Sequence, residues 1–129
     1  MRAVLVVNPF ATRVSGKRLA EVRAELGRVA DVDVVLTERP GHATELVAEA
    51  GRGGAEVIVV LSGDGGFNEA LNGLESDVPI GFLPGGGTSV FSRALGLPRD
   101  PVVAARQVAD ALSAGRTRRI SLGLSPIHI

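Results

Sequence analysis

A chain of 129 residues with 45% hydrophobic content is long enough to bury one core and too short for several. It has no cysteine, tryptophan or tyrosine, which excludes disulfide scaffolding and thiol redox chemistry. Its 14 basic and 14 acidic residues cancel, so nothing in the charge points to a nucleic-acid partner.

In chain order, Ala3, Val4, Leu5, Val6 and Val7 form an apolar run that predicts a buried strand ending at Asn8-Pro9. The run is too short for a signal-peptide core or a membrane span, so a cytoplasmic location is expected, at most peripheral to a membrane. Leu19, Val22, Leu26 and Val29 recur at three- and four-residue intervals and predict a first helix, with Ser15 as its cap. Residues 33–37 follow as a second strand centred on Val34, Val35 and Leu36 and ending at Thr37. Pro40-Gly41 turns the chain, and His42 reads as a cap or a solvent-facing group, since no second ligand stands at metal-binding spacing. Ala43, Leu46, Val47 and Ala50 give a second helix one apolar face before glycines at 51, 53 and 54 end it.

Val57, Ile58, Val59, Val60 and Leu61 form the most apolar strand, and residues 62–73, SGDGGFNEALNG, come directly after it. A β-branched run stopping at Gly63, Asp64, Gly65 and Gly66 predicts a loop where backbone can adopt positive φ and approach a ligand closely. The loop feeds a helix, so its N–H groups stand at a strand's carboxyl end, where α/β sheets hold phosphate. Asp64 among them needs a cation between itself and a phosphate, which suggests a nucleoside triphosphate with Mg²⁺. The spacing fits neither the dinucleotide fingerprint, where Asn68 takes the third glycine's place, nor the Walker loop, since the one lysine is Lys17. A glycine turn that binds nothing is the competing reading.

Ile80, Gly81 and Phe82 predict a fourth strand, followed by LPGGGTSVFSRALG over residues 83–96. Asp100-Pro101 caps a last helix through Ala105, Val108, Ala109 and Leu112. Arg116, Arg118 and Arg119 form the one dense basic cluster, read as a solvated turn or a neighbour of lipid head groups. Residues 118–122 read as a fifth strand. Strands alternating with helices predict a parallel α/β sheet, with the ends of the first, third and fourth strands on one edge.

Asn8-Pro9, residues 62–73 and residues 84–96 together resemble, in order and spacing, the catalytic domain of the diacylglycerol kinase family, within the lipid-kinase and NAD-kinase-like superfamily. That family carries Asn-Pro after its first strand, then Gly-Gly-Asp-Gly-Thr-x-Asn-Glu-x-x-Asn-Gly, then Pro-x-Gly-Thr-x-Asn-Asp-Phe-x-Arg-x-Leu-Gly. The chain departs from it at Ser62 (for glycine), Gly66 (for threonine), and Ser89 and Val90 (for Asn-Asp), while Phe91, Arg93, Leu95 and Gly96 match. The Gly66 departure removes a hydroxyl that the family could use on a phosphate oxygen.

The resemblance implies a three-layer α/β/α domain with a mostly parallel sheet, the N-terminal domain of a two-domain lipid kinase. It implies ATP and Mg²⁺, and a lipid acceptor such as diacylglycerol at a membrane surface. Carried over residue by residue, the nucleotide site comprises Asn8, Pro9, Phe10, Ala11 and Thr12; Thr37; Gly63, Asp64, Gly65, Gly66, Phe67, Asn68 and Glu69; and Gly87 with Thr88. Asp64 is the expected Mg²⁺ ligand. Asn68 and Glu69 have a structural alternative, bonding the glycine loop's own backbone. Phe10, Phe67 and Phe91 read as plugs under the motif loops, against a role as base-stacking platforms.

A kinase domain is expected over residues 1–123, and 124–129 as a non-native or truncated tail, since its residues resemble translated transposon-end sequence. The family continues into a β-rich domain bearing the lipid site and the catalytic base, so no catalytic residue is assigned within this chain, which is expected to be inactive alone and prone to self-association, for example as a homodimer. A sphingoid-base or NAD kinase of the same superfamily, or a nucleotide-binding domain that has lost catalysis, remain the alternatives.

Overall fold

The computed structural model describes residues 1–11, 14–75, 77–85, 96 and 98–114, with the backbone of 119–122 and 125–128. Strand β1 (Arg2–Val7) leads to helix α1 (Gly16–Gly27), β2 (Asp31–Leu36), α2 (His42–Arg52), β3 (Val57–Ser62), α3 (Asp64–Asn72), β4 (Ile80–Pro84) and α4 (Pro101–Ser113). The four strands form one all-parallel sheet in the order β2-β1-β3-β4. The chain steps from β1 to one side and from β3 to the other, so the topological switch point lies between the carboxyl ends of β1 and β3.

Both faces of the sheet are covered, which is why β1 and β3 are continuous apolar runs rather than alternating ones. Val4, Val6, Ile58, Val60 and Phe82 pack on one face against Ala43 and Val47 of α2 and Phe67 and Ala70 of α3. Leu5, Val7, Val59, Leu61 and Leu83 pack on the other against Val22 and Leu26 of α1 and Ala104 and Ala105 of α4. The result is the expected α/β/α sandwich. Edge strand β2 is half-exposed, with Asp31 and Asp33 facing solvent. Glu25 of α1 accepts from Arg28 and from Arg106 of α4, fixing the register of the two helices on that face. Exposed pairs of this kind contribute only about 0–1 kcal/mol each.

The caps agree with the sequence. Ser15 Oγ accepts from the Arg18 N–H at 3.1 Å, and Asp100 Oδ1 accepts from the Val102 N–H at 2.8 Å with Pro101 starting the helix. His42 Nδ1 accepts from the Glu38 N–H at 2.9 Å and closes the turn before α2.

Three expectations are corrected. Val29 lies beyond α1, because the helix stops at Gly27. The expected loop at residues 63–66 is the start of a helix: α3 begins at Asp64, Gly63 is its cap with φ −89°, and the positive-φ glycines among the described residues are Gly41, Gly54 and Gly96. The strand expected at 118–122, β5 (Arg119–Leu122), pairs antiparallel with β6 (Ser125–His128) in a separate hairpin rather than extending the parallel sheet.

Candidate nucleotide site

The ladder runs one residue past each strand and aligns the site across the sheet edge. Thr37 N–H donates to the Val7 carbonyl at 2.8 Å, Asn8 N–H to Leu61 at 3.0 Å, and Gly85 N–H to Ser62 at 2.7 Å. Thr37, Asn8 and Gly85, each one residue past its strand, and Ser62, the last residue of β3, therefore form a row at the carboxyl ends of all four strands, as expected for the first, third and fourth. Above the row, at the β1/β3 switch point, opens a cleft of about 580 Å³.

One wall of the cleft is the start of α3. Its cap residue, Gly63, provides no side-chain cap hydrogen bond, and its first N–H groups carry the positive end of the helix dipole. Gly65 is exposed on this turn, and a Cβ built there meets no atom of another element within 4 Å among the described residues. Its glycine therefore does not serve strained backbone; it leaves room over the helix N-terminus. Gly66 is glycine for the opposite reason. A Cβ there would overlap the Ser62 Oγ and lie 2.7 Å from the Ser62 Cβ. Ser62 is 2% exposed, and its hydroxyl has no hydrogen-bond partner among the described residues.

The opposite wall follows β1. Asn8 Oδ1 accepts from the Phe10 N–H at 3.0 Å, an Asx turn that swings the chain away from the sheet, and Ala11 N–H donates to the Asn8 carbonyl at 3.3 Å. Phe10 stands 80% exposed at the mouth of the cleft, so it is no plug. The third wall is the segment after β2, where Thr37 is joined by Glu38, Arg39 and Pro40. Arg39 donates to Glu45 Oε2 at 2.6 Å. Chiefly through that hydrogen bond, Arg39 is raised above its ordinary value and Glu45 held below the usual carboxylate range.

Of the residues carried over from sequence, Asn8, Phe10, Ala11, Thr37, Gly63, Gly65, Gly66 and Glu69 line the cleft. Phe67 does not. It is fully buried, its ring 4.8 Å from that of Phe82, because position 67 falls on the α3 face that packs on the sheet. Asn68 is exposed, and neither it nor Pro9 or Asp64 lines the cleft. Asp64 is the acid in the first turn of α3. Glu69 bonds not the glycine segment but the Gly41 N–H, at 2.9 Å. Thr12, Gly87, Thr88, Phe91 and the rest of residues 86–95 lie outside the described residues, as do Arg116 and Arg118.

Sequence reasoning missed Glu38 and Arg39 as cleft residues, although both directly follow Thr37. Among the described residues no group of three or more His, Asp or Glu is placed to hold a metal by itself. No described helix is long and apolar enough to cross a membrane.

The model of the diacylglycerol kinase catalytic domain matches residues 2–124. A diacylglycerol kinase of Bacillus subtilis is 33% identical over 95% of the chain and 41% of its own length. The solved structure of a diacylglycerol kinase from Bacillus anthracis superposes with a TM-score of 0.81 at 27% identity, covering 92% of this chain and 44% of that one. An NAD kinase from Archaeoglobus fulgidus, solved in complex with ATP, shares the fold at 23% identity, with a TM-score of 0.55 over 93% of this chain and 40% of that one. The chain thus spans about two fifths of the length of the curated relatives it matches.

Proposed function

Because the chain belongs to the diacylglycerol kinase catalytic-domain family, we propose that its cleft binds the triphosphate of ATP, as the nucleotide half of a lipid kinase acting on diacylglycerol or a related lipid at a membrane surface. The observation that carries this reading is the start of α3 at the β1/β3 switch point, where the cap residue Gly63 offers no side chain to the first N–H groups and Gly65 leaves space above them among the described residues. Anions bind helix N-termini through unpaired N–H groups and the dipole together.

Each wall has a role in holding the donor. The first turn of α3 supplies backbone donors to the phosphates. Asn8 shapes the β1 turn that bounds the nucleotide, and Phe10 offers an exposed ring at the cleft mouth to the base. Thr37 presents a half-buried hydroxyl from the next strand end. Mg²⁺, held by Asp64 directly or through water together with the phosphates, would offset charge on the transferring group. Phosphoryl transfer relies on positioning and electrostatics, and these residues place the donor phosphate on a rigid strand-to-helix junction.

Calorimetric titration of the chain with ATP, in Mg²⁺ and in EDTA, tests the reading. One-to-one binding that Mg²⁺ strengthens is expected. A folded chain that binds no ATP at millimolar concentration refutes it. Grafting the chain in place of the matching segment of the Bacillus subtilis relative tests the phosphate-donor half, with ATP-dependent phosphatidate formation as the expected result.

A further inference from the structure

We infer that the Ser62 hydroxyl is a phosphate-binding group of this cleft, carried on β3 in place of a hydroxyl on α3. The inference rests on the nucleotide reading above and names a contact within it.

Ser62 belongs to the row of strand-end residues and lines the cleft. Its backbone is engaged, its carbonyl accepting from the Gly85 N–H at 2.7 Å, while its side chain is not. A hydroxyl removed from water is ordinarily paired, and one left unpaired costs stability with no return from the fold. The fold has nonetheless made room for it. A Cβ at residue 66 would occupy the position of the Ser62 Oγ, so a hydroxyl at 62 and any side chain at 66 exclude each other. The two positions share one volume beneath the first turn of α3.

The two departures from the family pattern are therefore one change. The pattern has glycine at position 62 and threonine at 66; this chain has serine at 62 and glycine at 66. Read singly, Gly66 loses a hydroxyl from the site. Read together in the structure, the hydroxyl has crossed from helix to strand and still lies against the first turn of α3. A serine hydroxyl both donates and accepts and turns to suit its partner, so a phosphate oxygen set on that turn would supply the acceptor it lacks.

Calorimetry with ATP and with adenosine as separate probes, on the wild type, Ser62→Ala and Ser62→Gly/Gly66→Thr, tests the inference. Ser62→Ala should bind ATP about ten- to hundredfold more weakly, the range for one lost hydrogen bond to a charged group, should bind adenosine unchanged, and should melt no lower than wild type. The double variant should recover ATP affinity to within about threefold of wild type and melt well above Gly66→Thr alone. Equal ATP affinity in wild type and Ser62→Ala overturns the hydroxyl's role while leaving the nucleotide site standing, as does an equal loss for ATP and adenosine. A double variant no more stable than Gly66→Thr overturns the shared-volume argument. A wild type that binds no ATP removes this inference together with the reading beneath it.

Discussion

Glu69 Oε1, on α3, accepts a 2.9 Å hydrogen bond from the backbone N–H of Gly41, the cap residue of α2. Gly41 has φ +83° and offers no side chain to α2, so a neighbouring helix supplies the acceptor for its N–H, beside the Glu45 that α2 carries in its own first turn. Thr44 Oγ1 adds a second tie, donating to the Glu69 carbonyl at 2.7 Å. This pair ties α3, which follows the glycine segment, to the start of α2, which follows the Thr37 segment.

Glu69→Ala is accordingly expected to destabilise the fold by about 1–2 kcal/mol, the range for a lost cap or an orphaned donor. Glu69→Gln, which keeps an accepting oxygen, should lose less than half of that. Urea unfolding of the three proteins measures both. Equal losses for Ala and Gln would mean that the carboxylate charge, not the hydrogen bond, is what matters.

Gly65 separates folding from binding. Its backbone is helical and a Cβ there meets no atom of another element within 4 Å among the described residues, so Gly65→Ala should leave the melting temperature unchanged or raise it, by up to about 1 kcal/mol of helix propensity. Gly65→Val should fold as well, yet fill the space over the helix start and abolish ATP binding. Thermal melting paired with calorimetry reads the two effects independently.

Asp64→Asn should leave ATP binding in EDTA nearly unchanged and remove most of the gain that Mg²⁺ confers. As the acid in the first turn of α3, Asp64 also complements the helix dipole, so the variant should cost about 0.3–1 kcal/mol of stability. Titrations at matched ionic strength with Mg²⁺ or EDTA test it, and an undiminished Mg²⁺ effect would place the cation on another group.

The Arg39–Glu45 pair predicts a small dependence on acid. The Arg39 hydrogen bond depresses the folded-state value of Glu45 below its unfolded one. Its contribution is therefore fully present above the unfolded carboxylate value and is lost as pH falls through the lower, folded one. Both side chains are about half exposed, at 55% and 53%, so the effect should shrink in high salt. Denaturation of wild type and Glu45→Gln across the acid range should show the two stabilities converging as pH falls, and a gap that stays constant with pH would contradict the assignment.

Local chemistry was enough to read the order of elements, the two side-chain caps and the parallel sheet. Apolar runs buried on both faces, helical periodicity, Ser15 and Asp100-Pro101 act within a few residues of themselves and are visible in the chain. Asn8 and the glycine segment were legible as strand-end residues for the same reason, Thr37 entered through the family resemblance, and all of them line the cleft except Asp64. Tertiary structure decided the remainder. The conformation of residues 63–66 turned on whether α3 could begin at Asp64 with Phe67 inserted against Phe82, a choice set by packing on the sheet rather than by glycine content. Phe10 and Phe67 are the same residue type in similar motif positions, yet one is 80% exposed and the other fully buried, because only the fold defines which side of each turn faces the core. The coupling of Glu69 to Gly41 spans 28 residues, and the exclusion between Ser62 and Gly66 exists only once a strand end and a helix start lie within one side chain's volume. Such relationships are distances in space between groups that the sequence orders only along a line.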